Sequence, residues 1–191
     1  MVVSWDGSGV VNIAIDRQRI EQAKSLKYLG SIISEDGRSH SDVKVRIAMA
    51  KEAFNKRKEL LTKGLSTKLK KRMVRVLIWS VVLYGCETWT LLQDERDMLQ
   101  ALEMWLWRGI EKISWSDKTS NAEVLARVNE KNCLVTIIIQ RKHWIGHVRR
   151  GDGLLRDVLE GRISEKKQKG KPIEGMLEDL KKILGKNGVM K

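Results

Sequence analysis

Ser66-Thr67-Lys68-Leu69-Lys70-Lys71-Arg72-Met73-Val74-Arg75-Val76-Leu77-Ile78-Trp79-Ser80-Val81-Val82-Leu83 is the stretch whose reading decides the fold class. Leu69, Met73, Val76, Leu77, Ser80 and Leu83 recur at helical spacing and predict the buried stripe of a helix. Ser66 is placed as its N-cap, and Gly64 as the C′ glycine of the helix before it. Lys68, Lys71, Arg72 and Arg75 stand at i, i+3, i+4 and i+7, which predicts four cations on one continuous face. Like charges at that spacing destabilise an isolated helix, so a counter-charge is expected. A phosphate backbone laid along the face would supply it.

Upstream, Val43, Ile47, Ala50, Phe54 and Leu61 predict an earlier helix, with Lys44, Lys51 and Lys58 repeating every seven residues on its flank. Before Gly37 the period is nearer two. Val2-Val3-Ser4-Trp5, Asp6-Gly7-Ser8-Gly9 and Val10 to Ile15 read as strand, turn and strand. Leu26 to Ile33 reads as a further strand pair or bent strand, closed by a turn at Glu35-Asp36-Gly37. Downstream, a helix is expected from Thr90, with Thr90 and Gln93 as a capping box, to about Ile113. It turns Met98, Leu99, Leu102, Trp105, Leu106 and Ile113 inward, with Trp107 off that line toward a neighbouring helix. Ser120 and Glu123 form another capping box ahead of Val124, Leu125 and Val128. Leu134, Ile137, Ile138, Trp144, Ile145 and Val148 share one side of a last long helix, which Gly151 ends. Lys166 to Pro172 reads as a flexible basic linker before a short helix from Met176 to Leu184. The expected class is mainly α: a helical bundle with a small N-terminal β element and a flexible basic C-terminal tail.

The 191 residues carry 37 Lys or Arg against 24 Asp or Glu, a net charge of +13. Hydrophobic residues at 42% exclude a wholly disordered chain, and a single Pro agrees with uninterrupted helices. Val76 to Thr90 is too short and too polar to span a bilayer, so no membrane role is expected. The N-terminus lacks a basic region followed by an apolar run, so no secretory signal is expected. Cys86 and Cys133 make no disulfide framework, which points to a reducing, intracellular compartment, nucleus or cytoplasm. The charge is uneven: residues 44–75 alone carry +10, while 93–130 carry −3 and 131–150 and 162–191 each carry +5. A block that dense is the footprint of polyanion binding, nucleic acid first.

Catalytic candidates are few. His143 and His147 stand at i, i+4, but no Glu follows the first as a zincin requires, so no metal site is assigned. Neither Cys has a C-x-x-C partner, and Gly7-Ser8-Gly9 is a turn rather than a phosphate cradle. Trp79, Trp105 and Trp144 lie on or beside apolar stripes, so core packing is favoured over base stacking. The chain holds no pair of adjacent aspartates.

Lys27-Tyr28-Leu29-Gly30-Ser31-Ile32-Ile33-Ser34, Ala50-Lys51-Glu52-Ala53-Phe54-Asn55, Leu83-Tyr84-Gly85-Cys86-Glu87-Thr88-Trp89-Thr90, Glu103-Met104-Trp105 and Trp144-Ile145-Gly146-His147-Val148 occur in that order. Together they resemble the end of a LINE-type (non-LTR) retrotransposon endonuclease–reverse transcriptase. The likeness is to the RTE-like group, whose copies in host genomes are labelled craniofacial development protein 2-like, and it covers roughly residues 1–172. The resemblance implies that residues 1–36 are the end of the polymerase palm, with Tyr28, Leu29 and Gly30 in a primer-grip-like turn. It implies that 38–92 are the basic helical thumb that clasps template and primer, and 93–160 the C-terminal helical region, followed by the basic linker and short helix of 161–191. In the complete family enzyme an Asp-Asp pair binds two Mg²⁺ for nucleotidyl transfer. By the resemblance this chain begins after that pair. The tail departs from the family's Gly-Arg-rich pattern at Ile173, following Gln168-Lys169-Gly170-Lys171-Pro172.

The expectation is therefore a fragment of an RNA-directed DNA polymerase, not itself an enzyme and without a cofactor of its own. It is expected to bind RNA, DNA or their hybrid without sequence preference through Tyr28, Leu29, Gly30, Lys44, Lys51, Lys58, Lys68, Lys71, Arg72 and Arg75. One alternative is an inert or scaffold-like fragment that pairs with other proteins through its Trp-bearing helices, while orphaned strands at residues 2–33 would expose an edge and invite self-association. Another is complementation in trans of a palm on a separate chain.

Overall fold

The computed structural model describes residues 12–131, 134–142 and 153–160, together with positions 145, 148, 150 and 151. The strand at 2–5, the turn at 6–9, Cys133, His143, Trp144, His147 and the tail from 161 onward lie outside the described residues. The chain is mainly helical, with two small antiparallel sheets near its start. Its order is β1 (Ala14–Ile15), β2 (Gln18–Arg19), β3 (Ser25–Tyr28), β4 (Ser31–Ser34), α1 (His40–Lys56), α2 (Lys58–Thr62), α3 (Thr67–Val74), α4 (Ser80–Val82), α5 (Gln93–Glu111), α6 (Asn121–Val128), α7 (Leu134–Arg141) and α8 (Leu154–Glu160).

The region expected to be strand from Val10 to Ile15 contains β1, which pairs forward with β2 around Asp16 and Arg17. Both turn residues have positive φ, 51° and 65°. This two-residue link twists with the strands it joins. The Leu26–Ile33 segment is the strand pair, β3 with β4, with Leu26 opposite Ile33 and Tyr28 opposite Ser31. Gly37 follows with φ 64°, its N–H donating to the Ser34 carbonyl at 3.0 Å.

The first helix does not run unbroken to Leu61. Arg57 leaves the helical basin at φ −117°, its N–H turning to the Phe54 carbonyl at 3.0 Å while its guanidinium donates to the Ala53 carbonyl at 3.2 Å. Lys44 and Lys51 therefore sit on α1, and Lys58 opens α2. Ser66 caps α3 as expected, its hydroxyl accepting the Leu69 N–H at 3.4 Å.

The buried stripe of the next segment is a second departure from expectation. Arg75–Trp79 forms a π-helical turn between α3 and α4. The Ser80 hydroxyl donates to the Val76 carbonyl at 2.6 Å, another bond from a side chain to a backbone acceptor. Val74, Ile78, Trp79 and Val82 are the buried residues, while Leu69 and Val76 are exposed and Ser80 faces solvent. Met73 and Leu77 are half-buried and Leu83 is buried, so the expected stripe is rotated by about one residue.

In place of the expected Thr90–Gln93 capping box, only the half that a leucine N-cap permits forms, two residues on. Leu92 precedes α5, and Glu95 accepts its N–H at 2.6 Å. Thr90 uses its carbonyl for the Ser39 hydroxyl, and Gln93 donates to Asp97. The Ser120–Glu123 box is present: each side chain accepts the other's N–H, at 3.3 and 2.9 Å. One apolar core runs from Val43 through Phe54, Ile78, Trp89, Leu102 and Val124 to Ile138, crossing the boundary placed between residues 92 and 93. Phe54 meets Trp105 edge-on at 5.1 Å, and Trp79 meets Trp107 at 6.3 Å. Among the described residues no helix is long and apolar enough to cross a membrane.

Candidate nucleic-acid interface

The β3–β4 turn is built from Leu29 and Gly30, both left-handed, with φ of 46° and 84°. Such a turn favours Asn-Gly; a leucine there costs about 1 kcal/mol of backbone strain. Nevertheless Leu29 is 75% exposed, so burial of its side chain does little to offset that cost. Tyr28 beside it is also exposed. The turn is fixed from behind. The Tyr84 hydroxyl donates to the Leu29 carbonyl at 2.9 Å, and Arg46 donates to the Gly30 carbonyl at 2.6 Å. The Arg46 guanidinium lies 4.4 Å over the Tyr84 ring.

Asp42, one helical turn before Arg46, is buried and accepts twice. Ile32 N–H reaches it at 2.9 Å and the Trp89 indole N–H at 2.8 Å. Gly85 is required where it stands: its φ is 72°, and a Cβ there would lie 2.8 Å from the Ser31 hydroxyl. Thus the segments Lys27–Ser34 and Leu83–Thr90 are neighbours in space, joined through Asp42 and Arg46. Sequence reasoning missed these two residues. The available signal was a carboxylate and a guanidinium at i, i+4 beside the apolar stripe of α1, where only a paired, hydrogen-bonded charge survives burial.

The cations divide into two rows. Lys44, Lys51 and Lys58 are exposed on α1 and α2, and Lys51 lies 5.7 Å from the Trp105 ring centre. Lys68 and Arg72 are exposed on α3. Lys71 and Arg75, expected on the same face, are engaged by the loop after α6. Lys71 donates to the Asn129 carbonyl at 2.7 Å and stands 3.6 Å from Glu130, while Arg75 meets Glu130 at 2.6 Å. The counter-charge that the cationic face demanded is therefore supplied, in part, from within the chain. The two rows are related by α6: Asn121 and Leu125 line a groove with Lys58, and the C-cap Asn129 receives Lys71.

Cys86 is buried in the core, and burial, with Glu87 adding to it, pushes its thiol up to about 11. That makes it a packing residue, inert as a nucleophile near neutral pH. Trp79 is buried, in keeping with core packing, whereas Trp105 is only partly covered. Compared with known proteins, the chain matches no family model, no curated protein and no solved structure.

Proposed function

We propose that this chain is a thumb-like, sequence-independent nucleic-acid-binding module, derived from the C-terminal part of a non-LTR retrotransposon reverse transcriptase. It binds RNA, DNA or their hybrid inside the cell and does not polymerise alone. The observation that carries this reading is the concentration of +10 in residues 44–75, with Lys44, Lys51, Lys58, Lys68 and Arg72 all exposed. Phosphate contacts from such rows position a strand without reading its bases. The left-handed Leu29–Gly30 turn, anchored by Arg46 and Tyr84 and presenting exposed Tyr28 and Leu29, supports a second point of contact beside them.

The test is fluorescence anisotropy with a labelled RNA–DNA primer–template over a salt series. Four to six neutralised phosphates give log K against log salt a slope of roughly −4 to −5. Reversing Lys44, Lys51, Lys58, Lys68 and Arg72 to Glu should abolish most of it. Weak binding that this variant leaves unchanged overturns the reading. A scaffold reading draws on the apolar outer face of the hairpin, where Leu26, Tyr28, Leu29 and Ile33 are exposed. Salt-insensitive self-association in sedimentation, lost on changing Leu26 and Ile33 to Lys, would favour it.

A further inference from the structure

Between α1–α2, α5 and α6 lies a groove of about 490 Å³, inside the roughly 300–1,000 Å³ range of small-ligand sites. Its apolar wall includes Trp105, Met104 and Ile113. Trp105 keeps part of its surface open although Phe54 packs against it edge-on and the Lys51 ammonium stands near its ring. Cations stand on the α1–α2 side, Lys58 in the lining and Lys51 beside the indole. The carboxamides of Asn55 and Gln100 also line the groove on exposed positions, and each both donates and accepts. Asp97 is the carboxylate of the lining, on the α5 side. Arg108 and Asn121 are committed to one another at 3.0 Å, and Arg108 also donates to the Thr119 carbonyl at 2.7 Å.

An aromatic wall, neighbouring amides, one acceptor carboxylate and flanking ammonium groups are the complement of a single nucleotide. A base offers a π-face to an indole, a mixed donor and acceptor edge to amides, and a phosphate to lysines. A duplex presents no free π-face, and its bases remain stacked on one another. We infer that this groove holds one unstacked nucleotide of a single strand, its base against Trp105 and its phosphate at Lys51 and Lys58. The inference rests on the nucleic-acid reading above and adds to it a single-strand site separate from the α3 row.

The experiment is photocrosslinking of the full chain to a twelve-nucleotide DNA single strand carrying 5-iodouracil, with the crosslinked residue mapped by mass spectrometry. Anisotropy titrations with the same strand and with the RNA–DNA hybrid run beside it. A crosslink on Trp105 is expected. Trp105→Ala should weaken single-strand affinity about 5- to 150-fold, the range of one lost stack. Gln100→Ala, which removes the carboxamide at an exposed helical position without adding charge beside Lys51 and Lys58, should weaken it in the same direction while hybrid binding stays within twofold. Crosslinks confined to other residues, with hybrid binding and its salt slope intact, overturn the groove and leave the module reading standing. Absence of binding to either nucleic acid overturns both.

Discussion

Glu130 holds Lys71 and Arg75, and replacing it with Gln should make nucleic-acid binding tighter and more salt-dependent. The carboxylate is mostly covered, while Lys71 keeps a separate bond to the Asn129 carbonyl. Glu130→Gln keeps the side-chain size and removes the anion that neutralises two cations of the α3 face. Each phosphate neutralised on a B-form duplex contributes about 0.9 to the salt slope, so two released cations steepen it by about 1.8. Across a fourfold rise in salt from 50 to 200 mM, that enlarges the loss of affinity by roughly 10-fold. The folding cost is small: Arg75 is 53% exposed, and such pairs contribute up to about 1 kcal/mol. Anisotropy titrations at five salt concentrations measure the slope. Glu123→Gln, the same charge change at the other end of α6, controls for net charge. A slope equal to wild type, or an equal change in the control, would refute the idea that Glu130 withholds two cations from the ligand.

Other expectations are independent of that face. Leu29→Asn relieves the left-handed strain and should raise stability by about 0.5–1 kcal/mol, a few degrees of melting temperature, while weakening hybrid binding; a loss of stability would contradict the strain assignment. Gly109→Ala sets a Cβ 2.9 Å from the buried Phe54 ring. Despite a gain of about 1 kcal/mol in helix propensity, it should destabilise the fold by roughly 1 kcal/mol net in urea melts, and a more stable variant would refute this. Cys86 keeps its proton in the fold up to about 11, above its ordinary value of 9.0, so the unfolded chain releases that proton first. Stability should thus fall as pH rises from about 9 to 11, by at most about 2–3 kcal/mol, and Cys86→Ala should lack that component of the curve.

The elements that local chemistry dictates were legible in the sequence. The Leu26–Ile33 pairing, the Ser66 cap, the Ser120–Glu123 box and the burial of Trp79 follow from alternation, cap residues and apolar spacing, whereas Trp107, placed off the inward line of α5, is buried and Trp105, placed on it, is only partly covered. At each departure a side chain bonds a nearby backbone group. Arg57 donates to the Ala53 carbonyl where α1 ends, Ser80 to the Val76 carbonyl beside the π turn, and Glu95 accepts the Leu92 N–H where α5 begins. Periodicity counts residues and is blind to such bonds. The site was legible as charge and illegible as pairing. Nothing near Lys71 or Arg75 in sequence announces Glu130, 55 residues beyond Arg75.

The anchoring of the hairpin also sets the order in which it can mature during synthesis. β3 and β4 leave the ribosome ahead of the hydroxyl that fixes their turn, which belongs to Tyr84, 55 residues after Leu29. At about 5–20 residues per second, the strands wait roughly 3–11 s for that partner, with Trp89 following. For that interval Leu26 and Ile33 stand on a two-stranded ribbon too small to be stable alone. Slowing translation between residues 35 and 89 should then lengthen the window in which a nascent chain is captured by a chaperone or by another copy of itself.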